Sequence, residues 1–247
     1  MKTIAIEFMK QTSLPLSEPS GEQRGDPQPP LAWEPAEGAP VIDLPAPPAV
    51  KPDPVDLPAL FEARRTVRRY ADTPLTLAEL SYLLWATQGV KLVTPRPVTL
   101  RTVPSAGARH AFETVLLVNR VEGLEPGFYQ YAAMRHQVAP LRLGAEQADR
   151  LAAACLDQPH VVSSAVTFVW VANVERMVWR YGLRGYRYLH LDAGHVCQNL
   201  YLAAESIGCG VCALAAFEDR AVNELLGLDG ESQFAIYMGT LGKRAEG

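Results

Sequence analysis

Four arginines, Arg64-Arg65-x-x-Arg68-Arg69 with Thr66 among them, form the densest positive site in a chain whose net charge is −4. A charge run of this kind reads either as a solvated helix face or as an anion site. Planar guanidinium groups match phosphate oxygens two at a time, and a neighbouring hydroxyl adds a further donor. A second stretch, Pro104-Ser105-Ala106-Gly107-Ala108-Arg109-His110, has the small residues that let backbone amides face a ligand. Cys209-x-x-Cys212 has redox spacing, but it follows a helix C-terminus, where the dipole disfavours a thiolate; it reads as a buried, inert pair. His190 and His195 stand five apart, a poor spacing for two ligands on one helical face, so no metal is expected. Asp192 and His195 do share a face, as a hydrogen-bonded pair. No P-loop, no G-x-G-x-x-G after a strand and no G-x-S-x-G elbow is present.

These residues need elements to hold them, and the organising one is Tyr186–Cys212. Leu189, Ala193, Val196, Leu200, Ala203 and Ile207 recur at spacings of four and three, the period of a helix with one buried stripe. The opposite face carries Cys197, Tyr201, Leu202 and Ala204, so the helix is apolar nearly all round and belongs in the centre. Gly208 ends it, and Cys209 to Phe217 follows as a small-residue loop that another body can approach closely. A short helix near Leu57–Arg64 runs into the arginines. Thr76 and Glu79 form a capping box that opens an amphipathic helix ending at Gly89. Val90 to Ser105, with three prolines, reads as a loop. Strands are expected at 114–119, 127–131, 136–143, 161–172 and 234–241, and helices at 145–156 and 219–226, with 175–181 leading to the organising helix. Hairpin-like strands mixed with helices point to an α+β layered sheet rather than a doubly wound one.

Length and composition bound the rest. The 247 residues, 48% of them hydrophobic, hold one domain of roughly 190 residues with an ample core. Residues 13–54 are rich in Pro, Glu, Ala, Gly and Asp and keep no apolar period. They read as a disordered leader, or as an extended arm lying over a partner subunit. The division is therefore 1–56, a Pro-rich arm, and 57–247, the folded domain. An acidic chain is not a general nucleic-acid binder. No apolar run approaches ~20 residues, and Glu7 interrupts what would be a signal core, so a cytoplasmic protein without membrane contact is expected.

R-R-T-V-R-R-Y (64–70) followed by D-T-P-L-T-L-A-E-L-S-Y-L-L-W-A-T-Q-G (72–89) resembles the opening of the FMN-dependent nitroreductase family. P-S-A-G-A-R-H (104–110), R-Y-G-L-R-G-Y-R-Y-L-H-L-D-A-G-H-V-C-Q-N-L (180–200), G-C-G-V-C-A-L-A-A-F-E-D (208–219) and the terminal G-K narrow the likeness to SagB-type dehydrogenases, which include azoline oxidases. The resemblance covers about Leu57 to Lys243. It implies a nitroreductase-like central mixed sheet flanked by helices, in an intertwined homodimer with two flavins at its interface. Arg64, Arg65, Thr66 and Arg68 then correspond to the residues that hold the FMN phosphate and ribityl chain, and Lys243 to a further phosphate ligand. Ser105 and Gly107 correspond to a loop brought by the second subunit, and Ala215 and Ala216 to backbone amides near flavin N5. The implied activity is hydride transfer between flavin N5 and a heterocyclic, small-molecule or peptide-derived substrate. Two alternatives are an NAD(P)H-dependent nitro or quinone reductase, and a flavin-holding structural partner in a modification complex. Azoline oxidases carry a Lys-Tyr pair where this chain has Arg180-Tyr181. Arg180 stays charged, which leaves Tyr181 as the member of the pair able to take a proton. Where general nitroreductases tend to have Asn and Gln, this chain has Ala108-Arg109-His110.

Overall fold

The computed structural model describes residues 2–50 and 56–245; the end of the Pro-rich stretch and residues 1, 246 and 247 lie outside that range. In chain order the elements are α1 (Lys2–Gln11), α2 (Gly21–Arg24), β1 (Ile42–Asp43), α3 (Leu57–Ala63), α4 (Leu77–Gln88), β2 (Val90–Val93), β3 (Thr99–Arg101), β4 (Phe112–Val118), β5 (Gly127–Ala132) and β6 (Gln137–Leu143). There follow α5 (Glu146–Ala154), α6 (Pro159–Ser163), β7 (Val166–Asn173), α7 (Val174–Tyr181), α8 (Gly185–Glu205), β8 (Cys209–Leu214), α9 (Asp219–Leu226) and β9 (Gln233–Lys243).

Period-two alternation on the central strands builds two cores. On β4 and β7, Phe112, Leu116, Val118, Val166, Phe168, Trp170 and Ala172 face α4, α7 and α8. Val115, Leu117, Val169 and Val171 face α5 and α9. With both faces covered, β4 and β7 are buried almost throughout, which explains their continuous apolar sequence. The sheet order is β1-β6-β5-β4-β7-β9-β8. All six of its strand pairings are antiparallel. The fold is thus the α+β layered sheet expected, but its seven strands are not mixed. The one parallel contact on it in this region is the isolated bridge from Thr66 to Val211 beside β8.

Four local expectations are corrected. Val90–Ser105 contains a hairpin, β2–β3, because its prolines Pro95 and Pro97 fall in the turn and leave the flanking residues free to pair. The expected strand at 161–172 starts only at Val166; Pro159 opens α6 first, as a residue without an N–H can at a helix start. Cys209–Leu214 is not a loop but the strand β8, paired with β9 along its whole length. Residues 2–11, counted with the Pro-rich arm, form the helix α1.

Residues 12–50 run along the domain of their own chain. Ile42 and Asp43 pair with Val138 and Gln137 as an added edge strand. Leu44 is buried in one core and Trp33 packs on the other. The fastening is charged: the buried pair Arg176–Glu113 (2.5 Å) receives the arm, with Arg176 Nε donating to the Pro30 carbonyl and Trp33 N–H donating to Glu113. Arg101, also buried, donates to the Leu31 carbonyl. Burial pushes the Glu113 carboxyl up, and Arg176 and Arg101 pull it back.

Candidate active site

The arginine segment lies against the edge of β8. Val67 N–H donates to the Val211 carbonyl at 2.8 Å, next to the Thr66–Val211 bridge. Gly210 is what permits this approach: a Cβ there would fall 2.6 Å from that of Val67. Tyr70 closes the segment, its hydroxyl bonded to the Val67 and Thr240 carbonyls and to the Thr240 hydroxyl. The Arg64 guanidinium lies 5.5 Å over the ring of Tyr201 on α8. The Tyr201 hydroxyl accepts from Ala213 N–H and stands 3.4 Å from Thr66 Oγ1. Among the described residues, Arg64, Arg65, Arg68 and Arg69 form no ion pair. Four cations at one sheet edge without a carboxylate are a donor set suited to a phosphate.

The remaining phosphate candidate is differently engaged. Lys243 ends β9 and is paired with Glu79, the acid of the α4 capping box. Its neighbour Arg244 is paired with Glu205. Ala215 and Ala216 follow β8 and are exposed, the Ala216 carbonyl accepting from Gln158 at 2.7 Å. The two cysteines of the C-x-x-C are free and buried on β8. Burial pushes the Cys209 thiol up to about 12. Cys212 is also raised by burial, with Arg68 opposing.

Ser105, Gly107, Arg180 and Tyr181 come together elsewhere. Gly107 has φ +55 and sits so close to the end of α7 that a Cβ would meet Tyr181 Oη at 2.4 Å and Arg180 Nε at 2.7 Å. No other residue fits there without displacing the pair. Arg180 lies over the Tyr181 ring, and Tyr181 packs edge-on against Tyr188 at 4.8 Å. The loop is pinned by Asp192 of α8, which accepts from Ser105 Oγ at 2.5 Å and from Ala106 N–H. Burial raises the Asp192 carboxyl, against the pull of those hydrogen bonds. His195 Nδ1 is 3.8 Å from it, too far for the expected hydrogen bond; the side chain that Asp192 does bond is Ser105. Sequence reading gave Asp192 only the histidine; the signal for its larger role is a lone acid on the buried stripe of a central helix. Also unforeseen is Glu22 of the arm, which pairs with both Arg180 and Arg96.

The two groups are held by one helix. Asp192 and Tyr201 are nine residues apart on α8, or about 13 Å along its axis at ~1.5 Å per residue. No group of three or more potential metal ligands occurs among the described residues. Nor, among them, is any helix long and apolar enough to cross a membrane.

Residues 61–243 match the model of the nitroreductase family. A Methanocaldococcus jannaschii protein called a nitroreductase is 38% identical over 183 residues, 74% of this chain and 88% of its own length. The trifolitoxin-processing protein TfxB of Rhizobium leguminosarum bv. trifolii is 27% identical over 61% of this chain and 41% of its own. The crystal structure of an Anabaena variabilis nitroreductase superposes with a TM-score of 0.70 at 31% identity, covering 84% of this chain; this chain spans 42% of that protein. At 18% identity, the likeness is of fold alone for two further structures. The Escherichia coli microcin synthetase McbBCD complex gives a TM-score of 0.62, covering 97% of this chain and 87% of that one. The NADPH:FMN oxidoreductase of Vibrio harveyi gives 0.54, covering 76% and 68%. With its family model spanning most of the domain that carries both arginine groups, the chain belongs to the nitroreductase family.

Proposed function

We propose that this protein is a cytoplasmic, homodimeric FMN-dependent oxidoreductase of the SagB type that dehydrogenates a heterocyclic or peptide-derived substrate. The observation that carries the reading is the Arg64-Arg65-Thr66-x-Arg68 segment, fixed to the β8 edge and, among the described residues, in no ion pair. Arg64, Arg65, Thr66 and Arg68 would hold the phosphate and ribityl end of the cofactor. Lys243 would join them only by leaving Glu79, so its contribution is the weakest of the set. Bound FMN would supply a two-electron acceptor at N5, with the Ala215 and Ala216 amides beside the ring. Tyr181 takes the proton that must leave the substrate when hydride departs, and Arg180 keeps a fixed positive charge next to it.

The two half-sites lie at different levels of α8, and a second copy of the chain would bring Ser105 and Gly107 of one protomer to the arginines of the other. α8 itself is covered over much of its surface by its own chain, leaving His190, Leu191, Gly194, His195 and Gln198 outward. The apolar surface that calls for a partner is instead on α3 (Leu57, Phe61), at Trp85 and on the hairpin (Leu92, Val93, Leu100).

The peptide-derived substrate is favoured by the likeness to TfxB, whose name describes toxin processing, and to a chain of the microcin synthetase complex. In such a complex this chain would also serve as a flavin-holding partner. The competing reading is a nitro or quinone reductase fed by NAD(P)H, which the Vibrio harveyi likeness supports. Purified protein should be yellow, with about one FMN per chain. Anaerobic mixing separates the readings: bleaching of the flavin by NAD(P)H alone favours the reductase, and bleaching only by a heterocyclised peptide favours the dehydrogenase. A colourless protein that FMN cannot reconstitute removes both.

A further inference from the structure

Glu22 sits on α2, whose first turn is closed by a capping box between Ser20 and Gln23. Its carboxylate meets Arg180 Nη1 at 2.9 Å and also pairs with Arg96. Arg109 joins the same group. It is 5% exposed, its Nε donates to the Gly107 carbonyl, its guanidinium lies 5.3 Å from the Trp179 ring, and its Nη2 finds no hydrogen-bond partner among the described residues. Burial first, then Arg180 and Arg96, hold the Arg109 guanidinium below its ordinary value, with Glu22 and Tyr181 opposing. Two guanidinium groups, Arg180 and Arg96, therefore pair with one carboxylate whose charge also acts on Arg109, and Arg109 and Arg180 border Gly107.

The strand of arm that delivers Glu22 is lightly held. Farther along, residues 30–33 are locked by the buried Arg176, Arg101 and Glu113. Around α2, by contrast, the arm borders a cavity of about 760 Å³, walled by Pro19, Pro27, Trp179, Leu183 and Tyr186 among others. It is held there by polar contacts rather than by a packed core: Trp179 Nε1 donates to the Asp26 carbonyl, Gln28 Nε2 to the Pro97 carbonyl, Glu22 makes its ion pairs, and Gly21 lies close on Trp179. A segment resting on a cavity can shift without breaking a packed core.

We propose that Arg96, Arg109 and Arg180 form a recognition subsite for a carboxylate of the substrate, which Glu22 fills in the free protein and leaves when the substrate arrives. The proposal rests on the reading that Arg180 and Tyr181 face the substrate. An arginine fork matches a carboxylate in geometry and charge, and the native occupant is itself a carboxylate on a two-methylene stem. The exchange conserves charge, because one carboxylate replaces another. Glu22 acts as a tethered competitor, so the apparent affinity for an incoming carboxylate is reduced by the fraction of molecules in which the arm is closed.

The test uses the full-length protein as purified, with tryptophan fluorescence reporting the arm through Trp179. N-acetylglycine is titrated against its neutral amide, with inorganic phosphate as a second probe. Glu22→Gln should bind N-acetylglycine roughly tenfold more tightly than wild type while leaving the amide unchanged. Arg96→Gln, at an exposed position where folding is safe, should weaken N-acetylglycine by about the same factor. Trypsin cleavage after Arg24 should quicken with N-acetylglycine in wild type, and without any ligand in Glu22→Gln. Unaltered N-acetylglycine affinity in Glu22→Gln, an equal gain for the amide, or a preference for phosphate overturns the proposal. Flavin content is read from the same samples. A colourless protein with the Glu22→Gln gain keeps the subsite and loses the flavin reading, whereas a yellow one without the gain does the reverse.

Discussion

Two groups of arginines stand at different levels of α8, and they differ in what faces them. Among the described residues, Arg64, Arg65, Arg68 and Arg69 lie by the β8 edge without an ion pair, whereas Arg180 and Arg96 are met by Glu22 of the arm and Arg101 and Arg176 by its carbonyls. On the function proposed above, the first group receives charge from outside the chain. The second is already satisfied from within, by a segment whose composition alone suggests disorder. A cationic cluster in a sequence is thus ambiguous until its partners are known. Arginines with partners on their own chain add order, and those without are open to an anion.

The largest effect expected from breaking this contrast is at the arm's fastening. Glu113→Ala leaves Arg176 buried and unpaired, a change that costs about 3–5 kcal/mol. Urea denaturation should register that loss, together with faster proteolysis between residues 12 and 50. An unchanged midpoint would mean that the arm is not held by this pair.

Next comes the chemistry. Tyr181→Phe removes only the hydroxyl that meets Gly107, so fold and flavin should persist while substrate-driven flavin reduction slows by roughly 10²-fold. Stopped-flow bleaching at the wild-type rate would dismiss Tyr181 as the base. Arg64→Ala acts on the open cluster instead. It deletes one charge-assisted donor and the stacking on Tyr201, and should weaken FMN by about tenfold or more, seen as flavin in an ultrafiltrate.

What the sequence disclosed divides along the same line. The Thr76–Glu79 capping box, the buried stripe of α8 and the arginine run are local patterns whose spacing is their cause. The second task of Glu79, pairing with Lys243, joins residues far apart in the chain and has no local trace. The arm was opaque for another reason: it is held largely through its backbone, at the Pro30 and Leu31 carbonyls and the Trp33 amide, and backbone atoms leave no signature in a sequence. Gly107 was legible as a small residue, but its contact with Tyr181 depends on a loop folding back onto α7.

A further effect, read per pH unit, tests how full the satisfied region is. His110 is buried in the same loop, its amide bonded to Ser105 Oγ, with Arg109 next to it in sequence and Arg101 nearby. Burial, then Arg101, pulls its pKa down to about 3, against the support of a backbone hydrogen bond with Thr99. The folded protein therefore keeps His110 neutral, while in the unfolded chain it protonates near its ordinary ~6.5. Its folded-state value is depressed, so the stability it confers is complete above about pH 6.5 and is lost as the pH falls towards 3. In that window the unfolded state binds the extra proton, at about 1 kcal/mol per pH unit. His110→Asn removes the titration and retains a residue that tolerates φ +44. The difference in unfolding free energy between variant and wild type should then change with pH between about 6.5 and 4, narrowing or reversing in the variant's favour as acid is added. A difference independent of pH would show that the region has room for one more positive charge, and that its arginines are less closely matched by the arm than their contacts imply.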